Sequence, residues 1–175
     1  MWIKLGDVVK LISKSKHKAG DSDINGIYNF YTSSNIIKKS NYSDFKIETI
    51  IIGSGGYGSL FIDSNFSCSA DNFLLQTISN KYLLKYLYYF LKLQFNELHK
   101  LYKGQALKHL SQRDLLNYLI PNLPLSHQEE IVKFLDEQFT QYNLSKLKRE
   151  IPLFKLLINK EYDMAAELLQ IVYRH

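Results

Sequence analysis

Short apolar runs separated by polar turns fill the first eighty residues of the chain. The runs at 27–32, 47–52 and 59–63, and a fourth that ends at residue 78, are rich in β-branched and aromatic residues, which predicts strands. The run at 47–52 ends in three consecutive isoleucines, which predicts a strand buried on both faces. Near the start of the chain, Trp2 is expected to anchor the core, and Asp7 is expected to cap a turn of helix.

A helical spacing of apolar residues replaces the strand pattern at 81–100 and predicts a core helix. Asn80 is the predicted N-cap of this helix. Lys81, Lys85 and Lys92 fall near one side of it, where we expect them to stay in water.

Two prolines then mark a change of element. A glycine turn at Gly104 opens a basic segment, and the apolar run at 115–120 is stopped by Pro121. After Pro124, the sequence Ser-x-x-Glu at 126–129 predicts a capping box that opens a helix.

The C-terminal part of the chain is predicted to be helical. Apolar residues spaced mostly three or four apart at 128–150 predict an amphipathic helix, which Pro152 breaks, and residues 153–173 predict a second helix. Two alternatives remain, because these helices either fold back on each other or pair with another chain.

Composition bounds the class of protein. A chain of 175 residues is one domain, or one domain with an appendage. The single Cys68 excludes an intrachain disulfide framework and suits a reducing compartment. The first residues lack the apolar core of a signal peptide, and the apolar stretch at 82–93 is too short to cross a bilayer, so we expect a cytoplasmic protein.

Positive charge is concentrated in one part of the chain. Residues 81–125 hold seven basic and two acidic side chains, whereas the segments before and after them are nearly balanced. Such a surface suits a phosphate backbone, although a solvated lysine-rich face would have the same composition.

The sequence Gly-Ser-Gly-Gly-Tyr-Gly at 53–58 has the spacing of a dinucleotide-binding loop. That fingerprint requires a helix after the loop, whereas the residues that follow here predict a strand. A β-hairpin turn is therefore the favoured interpretation.

Catalytic motifs are not evident in the sequence. It lacks a phosphate loop ending in Gly-Lys-Ser/Thr, a His-Glu-x-x-His motif and metal-spaced cysteines, and the five histidines form no cluster. We therefore expect a non-catalytic binding module with no metal and no cofactor.

Several short motifs follow one another in a recognisable order. They are Leu-Gly-Asp-Val at 5–8, Asn-Phe-Tyr-Thr-Ser-Ser at 29–34, the glycine segment, Ser-Ala-Asp-Asn at 69–72, Ile-Pro-x-x-Pro-Leu at 120–125 and Gln-Glu-x-Ile-Val-x-x-Leu-Asp at 128–136. From Trp2 to about Gln138 the chain resembles the target recognition domain of type I restriction-modification specificity subunits.

This resemblance implies an α/β fold, in which a twisted β-sheet recognition domain with packed helices precedes a long C-terminal spacer helix and, here, a second helix. The implied boundaries are 1–124 for the recognition domain, 125–151 for the spacer helix and 152–175 for a helix of unknown role. The family carries two such domains at the ends of a coiled coil, so this chain resembles a half-subunit that would form a homodimer. The implied partners are double-stranded DNA and the methyltransferase subunits that carry out the chemistry.

The resemblance and the basic segments together suggest DNA-binding residues. Lysines in an N-terminal loop and cations near the glycine turn would contact phosphates or bases, and polar or aromatic side chains would read base edges. The first set is Lys14, Lys16, Lys18, Lys103, Lys108, His109 and Arg113, and the second is Ser33, Ser34, Asn35, Tyr57 and Gln105. Purely structural roles compete, since Gln105 would also suit a turn and Tyr57 would also pack on the hairpin.

Two other functions are compatible with the sequence. The chain would act as a protein-interaction module, an inhibitor or decoy of a restriction-modification complex, if it lacked sequence-selective DNA binding. It would be a small enzyme if the glycine segment bound a nucleotide.

Overall fold

A computed structural model describes residues 1–141 and the side chains of residues 1–137. The chain divides into two compact units, Met1–Glu129 and Glu130–His175. The distal part of the predicted spacer helix and the helix at 153–173 lie outside the described residues.

Nine strands, one short 3-10 turn and four helices make up the described part of the chain. In order they are β1 Trp2–Lys4, the 3-10 turn Leu5–Asp7, β2 Val9–Leu11, β3 Tyr28–Tyr31, β4 Lys38–Ser40, β5 Thr49–Gly53, β6 Ser59–Asp63, β7 Phe66–Cys68, β8 Asn72–Thr77, α1 Leu84–Leu93, α2 Phe95–His99, α3 Gln112–Leu116, β9 Leu119–Pro121 and α4 Leu125–Gln141. The α/β class predicted from the sequence is confirmed, with the strands divided among three sheets. None of the described helices is long and apolar enough to cross a membrane.

The central sheet has the order β2-β8-β5-β6 and is antiparallel throughout. Strand β5 lies between β8 and β6, and all five of its residues are buried, as its isoleucines predict. The strands predicted at 47–52 and 59–63 are therefore confirmed, with the first shifted to Thr49–Gly53.

A second sheet, with the order β4-β3-β7, packs against the first. Strand β3 pairs with β4 in antiparallel and with β7 in parallel orientation. Tyr31 and Phe66 from this sheet form a core cluster with Ile51 and Leu74 from the central sheet. The thiol of Cys68 belongs to the same cluster, and burial raises its pKa to about 12, which favours the neutral thiol over the thiolate.

One of the two expectations for the N-terminal segment is wrong. Trp2 does not anchor the core: the residue is 47% exposed, β1 lies in a separate two-stranded sheet with β9, and the centroid of the indole lies 6.3 Å from that of the Phe90 ring. Asp7 does cap the turn, from its last position: its carboxylate accepts a hydrogen bond from the backbone N–H of Lys4, the N-cap residue, at 3.2 Å.

The helical region differs from the predicted single helix at 81–100. Helix α1 begins at Leu84 rather than after Asn80, and a break at Gln94 separates it from α2. The ammonium of Lys92 donates to the carbonyl of Leu60 at 3.3 Å, and burial lowers its pKa. The expectation that Lys92 stays in water is therefore wrong.

The proline-bracketed joint also differs in detail. Within the apolar run at 115–120, Leu115 lies in α3, whose N-cap is Ser111, and the strand is only Leu119–Pro121. Helix α4 begins at Leu125, and the N–H of Gln128 donates to the carbonyl of Pro124 at 3.1 Å. Ser126 thus lies inside the first turn, and the predicted capping box is wrong.

Candidate nucleic-acid interface

The glycine segment forms the turn between β5 and β6. Gly56 and Gly58 have φ of 63° and 70°, values that glycine adopts without the steric cost of a side chain. A strand follows the turn, so the hairpin interpretation is confirmed and the nucleotide-loop hypothesis is wrong. We call residues 53–58 the glycine hairpin.

Tyr102 supports this hairpin from beneath. Its hydroxyl donates to the carbonyl of Gly53 at 2.6 Å. A Cβ on Gly58 would lie only 2.4 Å from the hydroxyl oxygen of Tyr102. Burial raises the pKa of Tyr102 to about 12, so the hydroxyl stays a donor at physiological pH. The side chain of Tyr102 therefore holds the backbone of the glycine hairpin in position.

A second hairpin lies beside the first. The N–H groups of Lys103 and His109 each donate to the carbonyl of the other, at 2.9 and 2.8 Å. At Gly104, with φ of 135°, a Cβ would lie 2.2 Å from the carbonyl oxygen of Leu107, so only glycine fits. We call residues 103–109 the basic loop.

Backbone hydrogen bonds join the two hairpins. The N–H of Gly56 donates to the carbonyl of Lys108 at 2.9 Å, and the N–H of Leu110 donates to the carbonyl of Ser54 at 2.8 Å. This contact brings Tyr57, which is 83% exposed, beside the cations of the basic loop.

The ring of Tyr57 stacks on one face against His99. The two ring centroids are 6.1 Å apart with an angle of 11°, and His99 in turn stacks on Tyr102 at 5.1 Å. Nε2 of His99 is buried and has no hydrogen-bond partner within the described residues. The stack limits the orientations of Tyr57 and leaves its other face to solvent.

Ser33 meets the glycine hairpin from the second sheet. Its hydroxyl donates to a carboxylate oxygen of Asp71 at 2.7 Å and accepts from the N–H of Gly55 at 3.3 Å. Burial alone would raise the pKa of Asp71, but the hydroxyls of Ser69 and Ser33 hold it below its ordinary value. The single hydroxyl proton of Ser33 is thus already used within the protein.

The two residues after Ser33 are both exposed, but the hydroxyl of the first is engaged by hydrogen bonds within the protein. The hydroxyl of Ser34 lies 3.1 Å from that of Thr32 and accepts from the N–H of Ile36 at 3.3 Å. Asn35 is exposed.

The N-terminal lysine loop, residues 13–18, adjoins the same end of the central sheet. The carbonyl of His17 accepts from the N–H of Ala70 at 2.8 Å, and the ammonium of Lys14 lies 5.3 Å above the ring of Phe73. His17 is held from its other side by Asp44, at 3.1 Å, and by stacking on Tyr42 at 4.4 Å. The loop is therefore anchored, and Lys14, Lys16 and Lys18 are exposed on it.

The structure thus brings most of the predicted residues to one end of the central sheet. Residues joined there through the two hairpins are Ser33, Tyr57, Lys103, Gln105, Lys108 and His109, and the lysine loop joins them through the turn at 69–71. Arg113 is exposed on α3, beside Asp114. The ammonium of Lys103 forms an ion pair with Asp114 at 3.1 Å, which competes with any external anion.

Two residues of this surface were not singled out from the sequence. Leu107 is 82% exposed at the tip of the basic loop, and His99 positions Tyr57. Leu107 could have been found from the sequence, because it is an apolar residue between the polar residues Gln105 and Lys108. Nothing local indicates the second, because His99 and Tyr57 lie 42 positions apart in the sequence.

The arrangement suits binding rather than bond making. Exposed cations and amides surround two hairpin tips with fixed backbones, which matches the donors that contact phosphates and base edges. Among the described residues there is no group of three His, Cys, Asp or Glu side chains that would hold a metal ion.

Comparisons with known proteins agree with this geometry. The sequence model of the Type I restriction modification DNA specificity domain matches residues 1–153. No curated protein matches the chain.

Solved structures show the same fold. The chain is similar to the S subunit of a type I restriction-modification system from M. genitalium, with 20% identity, a TM-score of 0.70 and coverage of 90% of this chain and 43% of that one. It is also similar to the HsdS subunit from Thermoanaerobacter tengcongensis, with 19% identity, a TM-score of 0.55 and coverage of 98% and 42%. A structure described as the basis of complex assembly and conformational transition of the type I R-M system matches with 18% identity, a TM-score of 0.57 and coverage of 91% and 42%. The chain thus spans less than half the length of each of these proteins.

Proposed function

Because the chain belongs to the type I restriction modification DNA specificity domain family, we propose that it binds one short sequence of double-stranded DNA. In this role it directs partner methyltransferase subunits, and any nuclease subunit, to that sequence. The chain itself contributes recognition, and the partners contribute catalysis.

One observation carries this proposal. The glycine hairpin, the basic loop and the lysine loop come from distant parts of the sequence, yet they meet at one end of the central sheet. The resulting surface presents cations beside exposed polar and aromatic side chains, the two kinds of group that position a protein on DNA and read its bases.

We propose that the contacts divide by role. Exposed basic side chains suit phosphates, while the exposed amides and the aromatic ring suit base edges. The first group is Lys14, Lys16, Lys18, Lys108, His109 and Arg113, with Lys103 weakened by its ion pair, and the second is Asn35, Tyr57 and Gln105. Ser33 and Ser34 are assigned a supporting role, because hydrogen bonds within the protein already engage their hydroxyls.

Two copies of the chain would restore the two recognition domains of a complete specificity subunit. The proposed boundaries are 1–124 for recognition and 125–151 for the helix through which two chains, and the methyltransferase subunits, associate. A two-fold dimer places two identical half-sites in inverted orientation.

The proposal is tested by selecting bound duplexes from a randomised DNA pool with the full chain, washing at moderate salt and sequencing. We expect enrichment of one short motif, and inverted copies at a fixed spacing would support the dimer. A Gln105→Ala variant should select with relaxed preference, whereas Lys46→Ala should select the same motif.

The same selection distinguishes the competing functions. Salt-sensitive binding without a motif, combined with tight association with a methyltransferase subunit, would replace the proposal with the interaction module. A selection repeated with that subunit present shows whether recognition needs the assembled complex.

A further inference from the structure

Leu107 is the apolar tip of a basic surface. A single leucine that is 82% exposed would need no explanation. Here a second apolar side chain, Tyr57, is 83% exposed on the adjoining hairpin. Gly56 and Lys108, the sequence neighbours of these two residues, are joined by a backbone hydrogen bond of 2.9 Å. The two apolar side chains therefore flank a direct contact between the hairpins.

The backbone that carries Leu107 is held from three directions. The reciprocal bonds between Lys103 and His109 close the loop, and the bond from Gly56 holds Lys108. The positive φ of Gly104 lets the carbonyl of Leu107 pack against it, where a Cβ would lie 2.2 Å away. A loop whose backbone is already fixed in this way loses little backbone conformational entropy when it binds.

The basic side chains beside Leu107 indicate what it would meet. Lys108 and His109 directly follow Leu107 in the sequence and are exposed, and when such side chains contact phosphates the adjoining loop tip lies close to the groove. The apolar group that the major groove presents is the C5-methyl of thymine, which cytosine lacks. Leucine offers no hydrogen-bonding group, so the methyl group is the one feature of a major-groove base edge that it suits.

We infer that Leu107 contacts the C5-methyl group of one thymine in the recognised sequence and so selects a T·A pair at that position. This inference rests on the proposed function. Tyr57, oriented by its stack on His99, forms the other side of the apolar surface that receives the methyl group.

The test removes the methyl group from the DNA and the leucine from the protein in the same experiment. Each thymine of the selected duplex is replaced in turn by deoxyuridine, and affinity is measured by fluorescence anisotropy at fixed salt. The proteins are the full chain, Leu107→Ala and Leu119→Ala, a matched control that is 53% exposed on the separate β1–β9 sheet. Thermal unfolding confirms that both variants are folded.

One deoxyuridine should weaken binding of the unmodified chain about fivefold, the effect of losing one buried methyl group. Leu107→Ala should bind the thymine duplex about fivefold more weakly and should be indifferent to that deoxyuridine. Leu119→Ala should behave as the unmodified chain does.

Two results would overturn the inference and leave the proposed function intact. They are selective binding that no deoxyuridine weakens, including a motif of G·C pairs alone, and a Leu107→Ala variant that stays as sensitive to deoxyuridine as the unmodified chain. A chain that selects no sequence would overturn the proposed function, and the inference with it.

Discussion

At the scale of single residues, the glycine hairpin shows two separate reasons for a glycine. One is a positive φ, and the other is a lack of space for a Cβ. Gly56 and Gly58 have nearly the same positive φ. A Cβ on Gly56 would have nothing within 4 Å, whereas one on Gly58 would collide with the ring and hydroxyl of Tyr102. A side chain at Gly56 would therefore cause backbone strain alone, whereas one at Gly58 would cause both backbone strain and steric overlap.

We expect Gly56→Ala to lower the free energy of unfolding by about 1 kcal/mol through strain alone. Gly58→Ala should lower it by about 3 kcal/mol, since Tyr102 must also move from its buried site. Urea unfolding of the two variants measures the difference. Equal losses would show that Tyr102 does not fix the hairpin.

Asp63 shows how hydrogen bonds outweigh burial. Burial alone would raise the pKa of this carboxyl, but bonds from Asn29 at 2.8 Å and Tyr31 at 2.7 Å, with backbone N–H groups of Ser64 and Asn65, hold it below its ordinary value. A carboxylate with a lowered pKa stabilises the folded state above its unfolded pKa of about 4, and this contribution is lost as the pH falls through the folded pKa.

Asp63→Asn should therefore be less stable than the unmodified chain at neutral pH, and the difference should shrink in acid. Tyr31→Phe removes one donor, so it should raise the pKa of Asp63 and reduce the acid-dependent loss of stability. Tyr57→Phe is the matched control and should leave the pH profile unchanged. Chemical denaturation between pH 7 and about pH 3 provides the measurement.

At the scale of elements, one buried side chain joins the start of α1 to the start of α4. Gln128 is fully buried. Its amide oxygen accepts from the N–H of Leu83 at 2.9 Å, and its amide nitrogen donates to the carbonyls of Lys81 and Leu123 at 3.0 and 2.8 Å. Gln128 thus provides hydrogen-bond partners for backbone groups at the starts of both helices.

Gln128→Leu should cost about 3 kcal/mol of stability, because three partly buried backbone groups lose their partner. Hydrogen exchange at the amide of Leu83 should also accelerate. Gln112→Leu, at an exposed position of α3, is the control and should change neither quantity. An unchanged exchange rate at Leu83 would contradict the assigned role.

The long-range bonds of Gln128 illustrate why some elements could be predicted from the sequence and others could not. Strands β5 and β6 follow from a local apolar pattern and a glycine turn, and both were located to within two residues. The start of α1 could not be located from the sequence. Asn80 is a good N-cap by residue type, but the N-cap of α1 is Leu83, whose backbone N–H is bound by Gln128, 45 residues further along the chain. The parallel pairing of β3 with β7 has no local signal either.

The candidate site shows the same division. Lys108 and Tyr57 were suggested by residue type and neighbourhood, and their proximity required the backbone bond between the hairpins. Ser33 was suggested as a reader of bases, whereas its hydroxyl is engaged by Asp71, a partner 38 residues away. Residue type thus indicates candidate contacts, and only the fold shows which groups remain available.

At the scale of the whole molecule, the position of charge matters more than the net charge of +5. Lys108 lies on the proposed interface, and Lys46 lies before β5, at the opposite end of that strand from the glycine hairpin. Lys103 is on the interface but paired with Asp114. The three lysines therefore differ in the number of counterions that their contacts would release.

Lys108→Ala should reduce the slope of log K against log salt by about 1, as expected for one lost phosphate contact. Lys103→Ala should reduce it less, and Lys46→Ala should leave it unchanged. Binding isotherms for a single duplex over a series of salt concentrations give the slopes. Equal effects of Lys46 and Lys108 would mean that the chain binds DNA through its overall charge.

The β1–β9 ladder, which pairs Trp2 with Pro121, also has a consequence for synthesis. Strand β1 leaves the ribosome before any other strand of the unit, and its partner is translated more than a hundred residues later. At about 5–20 residues per second, β1 waits roughly 6–24 s for β9. A nascent chain therefore exposes the edge of β1 throughout that interval, and ribosome-associated chaperones have that time to bind it.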